Sequence, residues 1–251
     1  MNEVVRYETD GEIAVLTVNN PPVNALSHAV RSGIVDGIKR ANADDAVKAI
    51  VLLCDGRTFI AGADITEFGK PPQDPHLRTQ NEVQEDSAKP MVCGLFGTTL
   101  GGGLETALAC HYRVAVPSAK VGLPEVKLGL LPGAGGTQYL ARIAGLSTAK
   151  RLIFKAKPIT TQEALALGIV DVCDEAESLA QQLAEDTRIM AENAPLALQA
   201  AKMAIDMGFE TSIENGLAIE KVCYDRVIPT EDRLEGLRAF KEKRKPVYRG
   251  C

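Results

Sequence analysis

Apolar and polar positions alternate through Val4–Glu8 and Ile13–Val18 with Asp10-Gly11 between them, a pattern that predicts a β-hairpin. Asn19-Asn20-Pro21-Pro22 stops the second strand, and Ser27 is placed to cap a helix to about Arg40 with Val30, Ile34, Val35 and Ile38 on one face. Lys48–Leu53 reads as a buried strand, since nothing polar interrupts Ala49–Leu53. The prolines of Gly69–Pro75 predict a mobile surface loop, and Thr79–Ala88 a polar helix. Met91–Phe96 is a second short apolar run, broken by Gly97. Gly101-Gly102-Gly103 then opens a helix through Ala109. Lys120–Leu123 predicts a strand, and the turn Leu130–Thr137 opens another helix near Gln138.

Past that point the period changes to helical. Ser147 is expected to cap Thr148–Lys155 and Thr161 to cap a segment ending at Leu167-Gly168. Ile169–Val172 is the last expected strand. Helices follow over Glu175–Asn193, Pro195–Met207, Ser212–Asp225 and Thr230–Lys243. Strands with interspersed helices and then helices alone predict an α/β body, residues 1–193, with a helical region at 194–251.

Length and composition narrow the classes. A chain of 251 residues buries about 75% of its unfolded surface, enough for one substantial domain with appendages. A formal charge of −5 with no basic stripe through the body argues against nucleic acid. No apolar run reaches the ~20 residues that span a bilayer, and the acidic start lacks an export signal, so a cytoplasmic protein is expected, with an organelle matrix also compatible. The six cysteines form no C-x-x-C pair and are expected as reduced core residues. His28, His76 and His111 show no metal-ligand spacing, and no metal is expected. Basic residues ending the last helix fit its dipole without any ligand.

Candidate chemistry concentrates in Met91–Gln138. It holds two carboxylates, Glu105 and Glu125, among glycine, proline and aliphatic residues. Three glycines at a helix start cost roughly 0.5–1 kcal/mol each, a cost that close approach of a ligand to free N–H groups would explain. The loop Asp55–Ile65 also has small residues, with Asp64 able to cap a following turn. No serine stands in G-x-S-x-G, no lysine completes a P-loop, and the glycines do not spell G-x-G-x-x-G. A glycosidase is disfavoured by the absence of tryptophan for sugar platforms.

Six phrases then carry a resemblance. Asn20-Pro21-Pro22-Val23-Asn24-Ala25-Leu26, Ala61-Gly62-Ala63-Asp64-Ile65, Gly101–Glu105, Leu123-Pro124-Glu125, Leu131–Gln138 and Ala239–Arg244 occur in order and spacing similar to the enoyl-CoA hydratase/isomerase (crotonase) family, over nearly the whole chain. The resemblance implies a spiral of ββα turns with a C-terminal helical region that mediates homotrimers, often paired into hexamers. It implies an oxyanion hole from the N–H groups of Ala63 and Gly102, and water held and activated by Glu105 and Glu125. It also implies substrate or CoA contacts at Ala25, Ala61, Asp64, Ile65, Leu128, Pro132 and Gly133, with Phe240 and Lys243 near the CoA adenine and phosphates.

The implied activity is hydration of a 2-enoyl-CoA thioester to a 3-hydroxyacyl-CoA, in β-oxidation or a related pathway, with coenzyme A as part of the substrate and no separate cofactor. The alternatives are a Δ3,Δ2-enoyl-CoA isomerase or another acyl-CoA enzyme of the crotonase family, and a non-catalytic CoA-binding subunit. Cys110-His111-Tyr112-Arg113 departs from the acidic residue common at His111 in stand-alone hydratases. With Gly122–Val126 it resembles the hydratase segment of multifunctional β-oxidation enzymes.

Overall fold

A computed structural model describes residues 4–67, 69–173 and 179–251. Its elements, in chain order, begin with β1 (Val5–Asp10), β2 (Ile13–Val18), α1 (His28–Ala43), β3 (Ala49–Cys54) and α2 (Leu77–Glu85). Next come β4 (Met91–Leu95), β5 (Thr98–Leu100), α3 (Gly102–Leu108), β6 (Tyr112–Ala115) and β7 (Lys120–Gly122). Then follow α4 (Gly136–Ala144), α5 (Leu146–Lys155), β8 (Ile159–Thr160), α6 (Thr161–Ala166) and β9 (Val172–Cys173). The chain finishes with α7 (Leu179–Ala191), α8 (Pro195–Phe209), α9 (Ile213–Val227) and α10 (Glu231–Glu242). Contacts divide it into two compact units, Met1–Thr187 and Arg188–Cys251.

In the first unit, a six-stranded sheet runs β1-β2-β3-β4-β6-β9 and a three-stranded one β5-β7-β8. The predicted hairpin pairs Val5 with Val18 and Asp10 with Ile13, and every later pairing in the larger sheet is parallel. From β4 to β7 the chain alternates between the two sheets. β4 turns into β5 and β6 leads to β7, with a helix or turn after each pair. The corner between β4 and β5 needs Gly97, which has φ +60° and where a Cβ would lie 2.4 Å from the Arg57 carbonyl oxygen.

Helix α1 starts as expected, Ser27 Oγ accepting from Val30 N, and buries Val30, Ile34, Val35 and Ile38. Leu16, Leu26, Ile50, Leu52, Phe59 and Met91 share that core with no exposed surface.

Several expectations are corrected. Tyr112–Ala115 is a central strand, its polar residues accommodated because Arg113 is buried and donates to the carbonyls of Ile169 and Cys110 and pairs with Asp171. Ile169 and Val170 are fully buried but precede the strand, because both N–H groups turn back to Ala164 O. Gly145, not Ser147, is the N-cap of α5, and Thr160, not Thr161, caps α6 by accepting from Glu163 N. Thr161 instead donates to the buried carbonyls of Val116 and Ala119. Cys54, Cys93, Cys110 and Cys223 are buried free thiols, whereas Cys251 is exposed. Of the expected helix Glu175–Asn193, residues 175–178 lie outside those described.

In the second unit, α8 and α9 approach closely where Gly208 faces Gly216. The C-terminal segment is pinned to α10: Asp232 accepts from Arg249 N and Gly250 N and donates its own N–H to Cys251 O. Among the described residues no helix is long and apolar enough to cross a membrane.

Candidate active site

Two chain segments bring unpaired amides together. The first is Phe59–Ala63. Leu26 N donates to Gly62 O at 2.9 Å and Ala61 N to Val23 O at 3.1 Å, so this loop is drawn against the segment before α1, with Gly62 at φ +141°. Asn24 secures that segment from beneath, donating to the carbonyls of Asp55 and Thr58 and accepting from Asn20 N. Ala25 O in turn accepts from Asn20 Nδ2.

The second segment is the start of α3. Gly101 takes φ +53°, donates to Gly122 O and turns the chain into the helix. A Cβ on Gly102 would lie 3.4 Å from Ala63 N, which places the two peptide units side by side. Neither the Ala63 nor the Gly102 N–H donates to any described residue. Two such N–H groups side by side are what an oxyanion requires.

Glu105 sits in the first turn of α3 and is 3% exposed. Its Oε1 accepts from Ala134 N at 2.8 Å, in the turn leading into α4, and from Gly136 N at 2.9 Å, at the first residue of that helix. Burial pushes this carboxyl above its ordinary range, and the two amides, Gly136 foremost, oppose the rise by favouring the anion. Pro132, also buried, packs against Gly136, while Gly133 at the apex of the turn is exposed.

Glu125 opens a short 3-10 turn, Glu125–Leu128, which ends at Gly129 in the left-handed region. Both its carboxyl oxygens are buried, and neither has a hydrogen-bond partner among the described residues. A Cβ on Gly101 would lie 3.1 Å from Glu125 Oε1, so the carboxyl lies against the glycine corner where α3 begins. Burial raises it to about 7; its own N–H, close but outside hydrogen-bond geometry, tempers the rise, and the Glu105 charge adds to it. Two carboxyls near each other therefore differ in kind. One accepts two peptide N–H bonds that favour its anion against the effect of burial, and the other has no such bond among the described residues.

The remaining expected residues are divided between the two units. Asp64 caps the 3-10 turn Ile65–Glu67 as expected, accepting from Thr66 N at 2.9 Å. Ile65 and Leu128 are 72% and 68% exposed, available to a ligand or a partner surface. A cleft of about 700 Å³ adjoins Ala63, with Arg31, Asp64, Glu67, Lys70, His76 and Leu77 in its wall. Phe240 and Lys243 belong to the second unit, where Phe240 is 87% exposed and Lys243 ends α10 at φ +55°.

Two groups of residues beside the site escape the sequence reading. Glu67 accepts from His28 N and pairs with Arg31, which also donates to Leu26 O and Pro75 O, so the turn after Ala63 is tied to α1. Gln80, Asn81 and Gln84 of α2, all fully buried, join Thr106 of α3. Their only sequence signal is an uncharged amide stripe at helical spacing.

The chain matches the family model described as enoyl-CoA hydratase/isomerase over residues 8–250. It is 40% identical over 255 residues to the mitochondrial methylglutaconyl-CoA hydratase of Mus musculus, covering 97% of this chain and 81% of that one. To the peroxisomal bifunctional enzyme of Danio rerio it is 47% identical over 169 residues, 67% of this chain and 24% of the relative. The crystal structure of an enoyl-CoA hydratase from Bacillus anthracis superposes with a TM-score of 0.94 at 35% identity, covering 99% of this chain and 100% of that one.

Proposed function

The chain belongs to the enoyl-CoA hydratase/isomerase family, and from that membership we propose that it adds water reversibly to a 2-enoyl-CoA thioester, giving a 3-hydroxyacyl-CoA. The carrying observation is the contrast between Glu105, bonded by two amides, and Glu125, bonded by none, beside the paired N–H groups of Ala63 and Gly102. In this reading those N–H groups hold the thioester oxygen and favour the enolate-like transition state over the ground state. Ionised Glu105 orients a water and accepts its proton as the oxygen bonds to the β-carbon. Neutral Glu125 delivers a proton to the α-carbon on the same face, giving syn addition, and dehydration reverses both transfers. The atoms balance with water alone, so coenzyme A enters only as part of the substrate.

Loss of enoyl absorbance on mixing the purified chain with crotonyl-CoA and longer 2-enoyl-CoA thioesters tests the reaction. Inertness across that series rejects it, and conversion of a 3-enoyl-CoA without hydration assigns the isomerase reading instead. The pH profile is a separate expectation. The acid must be protonated to act, so kcat/KM for hydration declines as pH rises through about 7, where Glu125 ionises in the free enzyme. A flat profile from pH 6 to 8, a window of about one unit either side of that value, would remove Glu125 from the acid's role.

The same reading extends to a homotrimer or a hexamer of two trimers, in the cytoplasm or an organelle matrix. Exposed apolar side chains of the second unit, among them Ile205, Phe209, Ile213 and Leu217, support assembly. A monomer in light scattering would reject it.

A further inference from the structure

Helix α2 carries three amide side chains, Gln80, Asn81 and Gln84, with no exposed surface at all. Buried amides are costly unless bonded, so each bond they make has structural consequence. Gln84 Nε2 donates to Thr106 O at 3.1 Å and to Cys110 Sγ at 3.3 Å, and makes no bond to Glu105 or to the turn before α4. Gln80 Nε2 donates to Gln84, to Thr106 Oγ1 and to Asn81 Oδ1.

Asn81 is different. Its Oδ1 accepts from Thr106 Oγ1 at 3.3 Å, and its Nδ2 donates to the carbonyl oxygen of Ala134 at 2.9 Å. Ala134 is the residue whose N–H, at 2.8 Å, meets Glu105 Oε1. One side chain thus grips the residue next to Glu105 in α3 and a residue of the turn that solvates its carboxylate.

We propose that Asn81 is a positioning residue for Glu105: by fixing Ala134 relative to α3, it keeps the Ala134 N–H aimed at the carboxylate oxygen. The inference rests on the hydratase reading, in which Glu105 acts as an anion. Without the Asn81 amide, the Ala134 carbonyl is buried with one partner fewer, the turn is free to shift, and the N–H bond that stabilises the Glu105 anion weakens. A carboxylate losing such a bond takes up its proton at higher pH. Substrate contacts at Ala63 and Gly102 are untouched, so binding and proton transfer should separate.

The experiment measures kcat and KM for hydration of crotonyl-CoA against pH in the wild type, Asn81→Leu, Asn81→Ala and Gln84→Leu, with thermal unfolding of each. Wild-type hydration is established first, and its absence defeats the parent reading rather than this one. Given an active wild type, kcat of Asn81→Leu falls roughly tenfold or more, towards the ~10²-fold that an ångström of misplacement costs. KM stays close to wild type. The acid limb of its kcat profile moves up by about one pH unit, the equivalent of one hydrogen bond to a charged group.

Asn81→Ala overfills nothing and serves if the leucine variant does not fold; the same upward shift is expected of it. Gln84→Leu loses an equally buried amide that touches neither Ala134 nor Glu105, so it lowers the unfolding temperature and leaves the acid limb in place. An unmoved acid limb in the folded Asn81 variants, or an equal shift in Gln84→Leu, overturns the proposal and reduces the amide cluster to packing.

Discussion

Glu125→Gln binds 2-enoyl-CoA with near wild-type KM and hydrates it about 10²–10⁴-fold more slowly, the range that a positioned general acid contributes. The substitution is close to isosteric and removes the transferable proton without emptying the pocket. Neither Glu125 oxygen has a described hydrogen-bond partner, so no existing bond is broken when one becomes an amide nitrogen. The loss therefore falls on kcat, as expected for an interaction made only on the way to the transition state.

The same variant carries a stability signature. A carboxyl raised from 4.5 to about 7 in the folded protein binds its proton more tightly folded than unfolded between those values. Wild-type stability from this group is therefore fully present below about 4.5 and declines as pH rises through about 7. The glutamine variant lacks that slope. Unfolding temperatures of the two proteins should diverge between pH 5 and pH 8, the variant gaining; parallel curves would show that Glu125 carries no such penalty.

Gly103→Ala is expected to damage both fold and turnover, although alanine is the better helix former by about 1 kcal/mol. Gly103 has no positive φ, so conformational freedom is not its purpose. A Cβ there would lie 2.0 Å from the Ile60 carbonyl oxygen and 2.7 Å from its carbon, backbone atoms that cannot rotate aside. Forcing the methyl in costs typically about 1–3 kcal/mol and separates α3 from the segment that carries Ala63. Since the paired N–H groups come from these two pieces of chain, their convergence is lost with it. Removing one oxyanion donor costs about 10²–10³ in kcat, and a comparable fall is expected here. A folded Gly103→Ala protein with wild-type kcat would show that the tight contact at Ile60 is not what aligns the amides.

The candidate site was more legible in the sequence than the framework around it. Glu105 and Glu125 stand out because a carboxylate among glycine and aliphatic residues lacks an obvious solvated role, and the six ordered phrases located Ala63 and Gly102. Their geometric neighbourhood is set by the tertiary fold.

The strand Tyr112–Ala115 was hidden because its histidine, tyrosine and arginine surroundings break the apolar pattern, and only the tertiary bonds of Arg113 to Ile169 O, Cys110 O and Asp171 make burial tolerable. Thr98–Leu100 was hidden by brevity, three residues after a glycine corner. Helix caps slipped by one or two residues because several small polar residues adjoin each boundary and local pattern does not choose among them. Asn81 was read as part of a polar helix, since an amide facing solvent and one facing another helix look alike until the partner helix is in place.

On the proposed mechanism, a hydration event leaves Glu105 neutral beside two N–H donors oriented for an anion, and Glu125 an anion with no hydrogen-bond partner among the described residues. Return of one proton from the former to the latter restores the resting state of that mechanism. In that mechanism the unequal hydrogen bonding of the two acids gives the site a built-in reset, recharging it between substrates and giving successive turnovers a common starting point.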